Sequence, residues 1–231
     1  MLNADFWAGR RVLVTGHTGF KGAWAWLLLE QLGARVSGLA LAPETEPNLA
    51  MIAGLTNRRT AHTGDIRDSD LVRRVVQEEQ PQVVLHMAAQ ALVRRSYREP
   101  LATFDVNVRG TLTVLEALRD VAGLQACLVV TSDKVYENND LGRRFIETDP
   151  LGGSDPYSAS KGACEIATSS YARSFFGAKS SGANRAVVAT ARAGNVIGGG
   201  DWSEDRIIPD IWRAQLRGQE VELRYPDATR P

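Results

Sequence analysis

Gly16, Gly19 and Gly22 stand three residues apart, directly after an apolar β-type run, Arg11–Thr15, and directly before an apolar helical pattern. Glycine tolerates positive backbone angles and carries no side chain. The spacing therefore suits a strand-turn-helix in which one glycine makes the turn, one lets an anionic group approach the backbone, and one lets the helix close on the strand. The free N–H groups at the start of that helix then point at the anion. A glycine triplet alone is a weak signal, but the strand before it and the helix after it supply the required context. The whole loop, Gly16, His17, Thr18, Gly19, Phe20, Lys21 and Gly22, is expected to hold the pyrophosphate of a dinucleotide. The His17 side chain is expected to make a local loop hydrogen bond, far from any hydride chemistry.

Beyond the loop, apolar β-type runs alternate with helical patterns, which predicts a parallel sheet covered on both faces. Strands are expected at residues 11–15, 35–41, 59–63, 83–86, 126–131 and 185–191. Helices are expected at residues 20–32, 68–79 with an Asp68 cap, 100–121 and 157–176. The fold class is thus α/β, a Rossmann-type doubly wound parallel sheet, assigned to residues 1–195. Past Ile197 glycines, Pro209, Pro226 and a short helix near 208–216 suggest departure from the sheet. Residues 196–231 are read as the beginning of a smaller C-terminal substrate lobe, truncated where the sequence stops.

Composition narrows the partners. Lys and Arg number 27 against 27 Asp and Glu, and this zero net charge gives no electrostatic case for nucleic acid or an anionic membrane. The apolar run at 23–29 is too short to span a bilayer. Cys127 and Cys164 lack metal-ligand spacing and read as reduced packing residues of a cytoplasmic protein. No His, Cys and carboxylate trio has metal-site spacing, and His62 and His86 read as strand-end packing.

Tyr157 and Lys161 lie four residues apart, on one face of a helix. A phenol whose pKa is lowered by a nearby ammonium is a proton-transfer group. The same spacing alone describes any surface pair. Ser132, ending the fifth strand, and the glycine loop give it context. The usual acidic residue at the end of the second strand is missing, Glu44 being the nearest carboxylate, so the choice between NAD and NADP stays open. Asp65, followed by Ile66, is either an acceptor for an adenine amino group or a turn aspartate.

These features together resemble the extended short-chain dehydrogenase/reductases: the glycine loop, the run Met87, Ala88, Ala89 and Gln90, then Asn107, the Ser132 strand end and the Tyr157/Lys161 pair. T-S-D-K-V-Y-E-N (131–138), D-P-Y-S-A-S-K-G (155–162) and R-A-G-N-V-I-G-G-G-D-W (192–202) are similar to the CDP-glucose branch of the nucleotide-sugar 4,6-dehydratases. The similarity runs over essentially the whole chain. It implies bound NAD, contacted by the loop, Asp65, Ile66, Ala88, Ala89, Gln90, Asn107, Tyr157 and Lys161, and a nucleotide-sugar substrate, CDP-glucose. It implies that Tyr157 takes the proton of the sugar 4-hydroxyl, with Ser132 beside it, and that Asp133 and Lys134 serve as acid and base for loss of water. As a base Lys134 must be neutral, which calls for desolvation or nearby positive charge. As an acid Asp133 must carry its proton. Many related dehydratases carry Asp-Glu at this pair, and the lysine marks the CDP-glucose branch.

Arg95, Asn195 and Arg206 match substrate-contacting positions, guanidinium suiting a diphosphate. Each could equally be an ordinary surface arginine or turn asparagine, and Trp202 either packs or stacks on a base. The resemblance also implies a homodimer in which the 100–121 and 157–176 helices form a four-helix bundle. Two other readings compete. A 4-epimerase shares the tyrosine and lysine but needs no acid-base pair for water loss. A non-catalytic dinucleotide-binding module often lacks the tyrosine or the lysine.

Overall fold

A computed structural model describes residues 3–138, 142–177 and 184–221. Six strands, β1 (Arg11–Thr15), β2 (Arg35–Ala40), β3 (Ala61–Thr63), β4 (Val83–His86), β5 (Ala126–Val130) and β6 (Val187–Ala191), form one sheet in the order β3-β2-β1-β4-β5-β6. Every pairing is parallel. The order reverses between β1 and β4, and a crevice for ligands opens at the carboxyl ends of the strands there. Val12, Leu13 and Val14 of β1 are buried, as expected of a central strand covered on both faces.

Helix α1 (Phe20–Gln31) closes on β1 and β2 through buried Ala23, Trp26 and Leu29. Helix α2 (Ser69–Glu79) is capped by the Asp68 carboxylate, which accepts from the Asp70 and Leu71 N–H groups at 3.1 and 3.0 Å. Its Val72, Val75 and Val76 enter the second apolar cluster with Val114, Leu115 and Leu118. Helix α3 (Pro156–Phe175) starts at Asp155, whose carboxylate accepts from the Ser158 N–H at 3.0 Å. Helix α4 (Ile207–Leu216) follows the sheet.

The helix expected at 100–121 is a composite. Pro100–Phe104 is α-helical, Asp105–Gly110 is a π-helical stretch, and Thr111–Leu118 resumes the α-helix. Within the π stretch the Thr111 hydroxyl donates to the Asn107 carbonyl at 2.7 Å, and a Cβ on Gly110 would lie 2.6 Å from Ile66. A short helix, Val93–Arg98, and a 3-10 turn, Asp133–Val135, sit where a loop was expected. After β6 the chain turns back over α1. The Trp24 indole donates to the Gly199 carbonyl at 2.7 Å, and Gly200 packs on Leu49 with φ +83°. The stretch 222–231, where the truncation was read, lies outside the described residues.

Candidate active site

The glycine loop has the shape its sequence calls for. Gly16 adopts φ +79°, and a Cβ there would lie 2.8 Å from the Ala88 backbone. A Cβ on Gly22 would lie 2.2 Å from the Gly16 carbonyl oxygen, so no other residue lets α1 sit this close. Gly19 caps α1 without a side-chain bond, leaving the first N–H groups of the helix for an external acceptor. The Thr18 hydroxyl donates to the Leu41 carbonyl at 3.0 Å, and its own carbonyl accepts from the Asn48 amide at 3.0 Å. These bonds fasten the loop to the segment after β2. Such a cradle fits a dinucleotide pyrophosphate.

His17 departs from expectation. Its ring lies inside the fold, 5.2 Å from the Trp26 ring and against Gly38, and its Nδ1 has no hydrogen-bond partner. Burial, with a smaller push from His62, lowers its pKa to about 4, so it packs as a neutral ring instead of bonding the loop.

Asp65 takes the turn role. Its carboxylate accepts from the Arg67 N–H at 2.8 Å and from the Arg67 guanidinium at 2.5–3.0 Å, while Arg67 also reaches Asp105. Ile66 is buried under the composite helix. Ala88 and Met87 donate their N–H groups to the Thr15 hydroxyl at 3.2 and 3.1 Å. Ala89 follows in the same loop, and Gln90 is held by Asn107, whose amide oxygen accepts the Gln90 N–H at 2.8 Å. The Asn107 amide also donates to the Gln90 carbonyl at 3.1 Å and to the Ser160 hydroxyl at 2.8 Å.

Around Tyr157 the carboxyl ends of β5 and β6 converge with α3. Ser132 begins the 3-10 turn, its hydroxyl accepting from the Lys134 N–H at 3.2 Å and donating to Asp133 Oδ1 at 3.1 Å. The same hydroxyl lies close enough to the Tyr157 phenol to draw its pKa down. Asp133 is fixed by its N–H to the Ala193 carbonyl at 3.0 Å. The Tyr157 N–H donates to the Ser96 hydroxyl at 3.1 Å, which places the Val93–Arg98 helix against the site.

Burial raises the Tyr157 phenol above its ordinary value, with the Asp133 and Asp155 charges adding to it, while the Ser132 hydroxyl and the Arg206 charge pull the other way. Lys161 is itself buried, its ammonium donating to the Val130 carbonyl at 3.1 Å, and burial lowers its pKa, with Lys21 adding repulsion. Lys21 is lowered in turn by burial and by Arg206. The site thus gathers three cations, Lys21, Lys161 and Arg206, around a phenol. Asp201 lies 3.8 Å from the Arg206 Nε, which is buried without a hydrogen-bond partner, as is the Trp202 indole N–H. Such a set suits an anionic ligand.

Lys134 is half-buried beside this group. Arg95 pairs with Glu44 at 3.1 Å, and Asn195 is exposed.

The structure adds one buried ion pair that sequence reasoning missed. Glu165, one helical turn beyond Lys161, accepts from the Thr131 hydroxyl at 2.5 Å, the Thr190 hydroxyl at 2.8 Å and the Arg192 guanidinium at 3.0 Å twice. The Arg192 guanidinium lies 4.7 Å over the Tyr136 ring, which stacks on Phe145. This pair ties α3 to both flanks of Ser132–Lys134. Its signal was a glutamate repeating the four-residue spacing of Tyr157 and Lys161 on the buried face.

Fold and site together define the class: the chain belongs to the NAD dependent epimerase/dehydratase family, whose model matches residues 12–230. Over all of its length it is 46% identical to the CDP-glucose 4,6-dehydratase of Salmonella typhimurium, and it spans 64% of that relative. Over 66% of its length it is 39% identical to the dTDP-glucose 4,6-dehydratase of Xanthomonas campestris pv. campestris, of which it covers 46%. A dTDP-glucose 4,6-dehydratase structure from Streptomyces venezuelae, with NAD and TYD bound, superposes with a TM-score of 0.75 at 27% identity, covering 90% of this chain and 62% of that one.

Proposed function

We propose that this chain acts as a nucleotide-sugar 4,6-dehydratase that binds NAD and converts CDP-glucose to CDP-4-keto-6-deoxyglucose. The observation that carries the reading is the Asp133–Lys134 pair, set on a 3-10 turn at the end of β5 with Ser132 and Tyr157 beside it. An epimerase has no use for an acid-base pair at that turn. The 46% identity to a CDP-glucose 4,6-dehydratase, over the whole chain, supports the choice of nucleoside.

In this reading Gly16, His17, Thr18, Gly19, Phe20, Lys21 and Gly22 cradle the pyrophosphate. The turn at Asp65 and Ile66, its carboxylate held by Arg67, flanks the adenine, and Ala88, Ala89, Gln90 and Asn107 line the middle of the cofactor. When bound, NAD supplies a reversible hydride acceptor and leaves the reaction unchanged. Tyr157 takes the proton of the sugar 4-hydroxyl through a site where Ser132 and Arg206 counter part of the burial that raises the phenol. Lys134 removes the proton on carbon 5, which the neighbouring 4-keto group acidifies, and Asp133 protonates the departing 6-hydroxyl. Asn195 contacts the diphosphate, Arg206 begins the nucleotide clamp, and Arg95 lies near the sugar.

Leu101, Phe104 and Ile166 are exposed on the composite helix and α3. They favour a homodimer through a four-helix bundle.

The test is turnover of CDP-glucose, dTDP-glucose and GDP-mannose, followed by the alkaline ultraviolet absorbance of the 4-keto-6-deoxy product. Product from CDP-glucose, lost in Asp133→Asn with NAD still bound, is the expected result. Full dehydration by Asp133→Asn would remove the acid assignment. Cofactor binding without product from any sugar would favour the epimerase or cofactor-sensing readings, and tighter binding of NADP would change the cofactor.

A further inference from the structure

His86 ends β4 in the middle of the sheet and is buried. Its two ring nitrogens are both committed. Nδ1 lies 2.7 Å from the Thr15 hydroxyl and Nε2 lies 2.9 Å from the Thr111 hydroxyl. The neighbours decide which nitrogen carries the proton. The Thr15 hydroxyl oxygen accepts the Ala88 N–H at 3.2 Å and shares the Met87 N–H, at 3.1 Å, with the Thr15 carbonyl, and the Thr111 proton is committed to the Asn107 carbonyl, so the Thr15 proton goes to Nδ1. Nδ1 is then bare and the ring proton sits on Nε2, donated to Thr111. The Thr111 proton goes on to the Asn107 carbonyl at 2.7 Å.

From Asn107 the chain of bonds continues. The Asn107 amide donates to the Ser160 hydroxyl, which donates to the Tyr157 carbonyl at 2.7 Å. At the other end, the Ala88 backbone is the surface on which Gly16 rests, 2.8 Å from any Cβ there. Two series of hydrogen bonds, joined through the Asn107 residue, thus run from beneath the glycine loop to the first turn of α3.

We propose that His86 is a positioning residue, fixed as the Nε2–H tautomer, that sets the glycine loop and the Tyr157 turn in register through Thr15, Thr111 and Asn107. Neutrality is essential, because a protonated ring would present a second donor to a Thr15 oxygen whose acceptor sites are filled. Burial, with the Lys161 charge adding to it, lowers the ring's pKa to about 3 and keeps it neutral. The proposal rests on the dehydratase reading only for its kinetic arm.

The test has two arms. Nitrogen-15 spectra of histidine-labelled full-length protein at neutral pH read the tautomer directly, with His86→Gln assigning the signal. A bare Nδ1 and a protonated Nε2 are expected, and the lock should loosen in Thr15→Val. A protonated Nδ1, or an averaged pair of shifts in the unsubstituted protein, overturns the proposal.

The second arm measures NAD affinity, and kcat per NAD-bound protomer, for His86→Leu, His86→Asn and His86→Gln. Asn keeps the acceptor for Thr15, Gln keeps the donor for Thr111, and Leu keeps neither. Each lost bond should cost roughly 2- to 10-fold in one or both quantities, with Asn and Gln each recovering part of the Leu loss. Equal values in all three variants and the unsubstituted protein overturn the positioning role. Should the Leu variant fail to fold, Thr15→Val and Thr111→Val remove one bond each and carry the same comparison. Should the unsubstituted protein turn over no nucleotide sugar, the dehydratase reading falls while the spectra and the NAD affinities still judge His86.

Discussion

Glu165→Ala should be among the most damaging single changes in this fold. The carboxylate is buried and accepts from two hydroxyls and a guanidinium. Its removal leaves Arg192, 18% exposed at the side chain, without its counter-charge and strips Thr131 and Thr190 of an acceptor. Breaking a buried pair from one side costs about 3–5 kcal/mol. For a domain of this size that corresponds to a melting point lower by roughly 6–20 °C. Glu165→Gln keeps the shape and the hydroxyl partners and should fall between the two.

Acid should erode the difference. Burial pushes the Glu165 carboxyl up, but the bonds from Arg192, Thr131 and Thr190 outweigh it and hold the group below its ordinary range. A group held lower in the folded chain stabilises fully above its unfolded value, about 4.3, and loses that contribution as pH falls through the folded value. Thermal or denaturant unfolding of the three proteins, repeated at decreasing pH, is the assay. A Glu165→Ala melting point within about 2 °C of the parent at neutral pH, or a gap that widens on acidification, would refute the reasoning.

Gly22→Ala drives a Cβ to 2.2 Å from the Gly16 carbonyl, so α1 must lift from β1. Calorimetry should show NAD binding abolished, and unchanged affinity would mean that the loop yields at no cost. Cys127 is buried and its thiol is pushed up to about 12 by that burial. A thiol reagent at neutral pH should modify it only on unfolding, and rapid labelling of the folded protein would contradict its placement. Leu101→Lys puts a charge on the most exposed apolar side chain of the composite helix. Light scattering should find the proposed dimer dissociated toward monomer, while a dimer of undiminished affinity would move the interface elsewhere.

Period and punctuation made most of the sheet legible in advance. β1 and β4 start and end where the apolar runs do, and Asp68 caps α2 because an aspartate before a helical pattern has few better uses. The glycine loop was legible because each glycine answers a steric demand that other residues fail. The misses share a cause: they depend on what lies across space. His17 looked like a loop polar group because the sequence does not show Trp26 and Gly38 closing around it. Spacing placed Tyr157 beside Lys161, yet could not say that the ammonium would turn to the Val130 carbonyl. Glu165 and Arg192 are 27 residues apart in the chain, and only the fold makes them one device. The short helices at Val93–Arg98 and Asp133–Val135 are too brief for a periodic signal.

The π-helical stretch at Asp105–Gly110 fixes the rotational phase of the composite helix. An α-helix turns about 100° per residue, so a wider turn in mid-course offsets everything before it from everything after it. Leu101 and Phe104 lie on the early side of that offset and face outward, while Val114, Leu115 and Leu118 lie on the late side and enter the core. Winding this stretch as a plain α-helix at unchanged length would swing Leu101 and Phe104 by about a quarter turn relative to the core face, whereas deleting one residue as it rewinds would leave them nearly where they are. The wider turn, and not the length of the stretch alone, therefore sets which face the composite helix would offer to a second copy in the proposed dimer, with the sheet behind it unaltered.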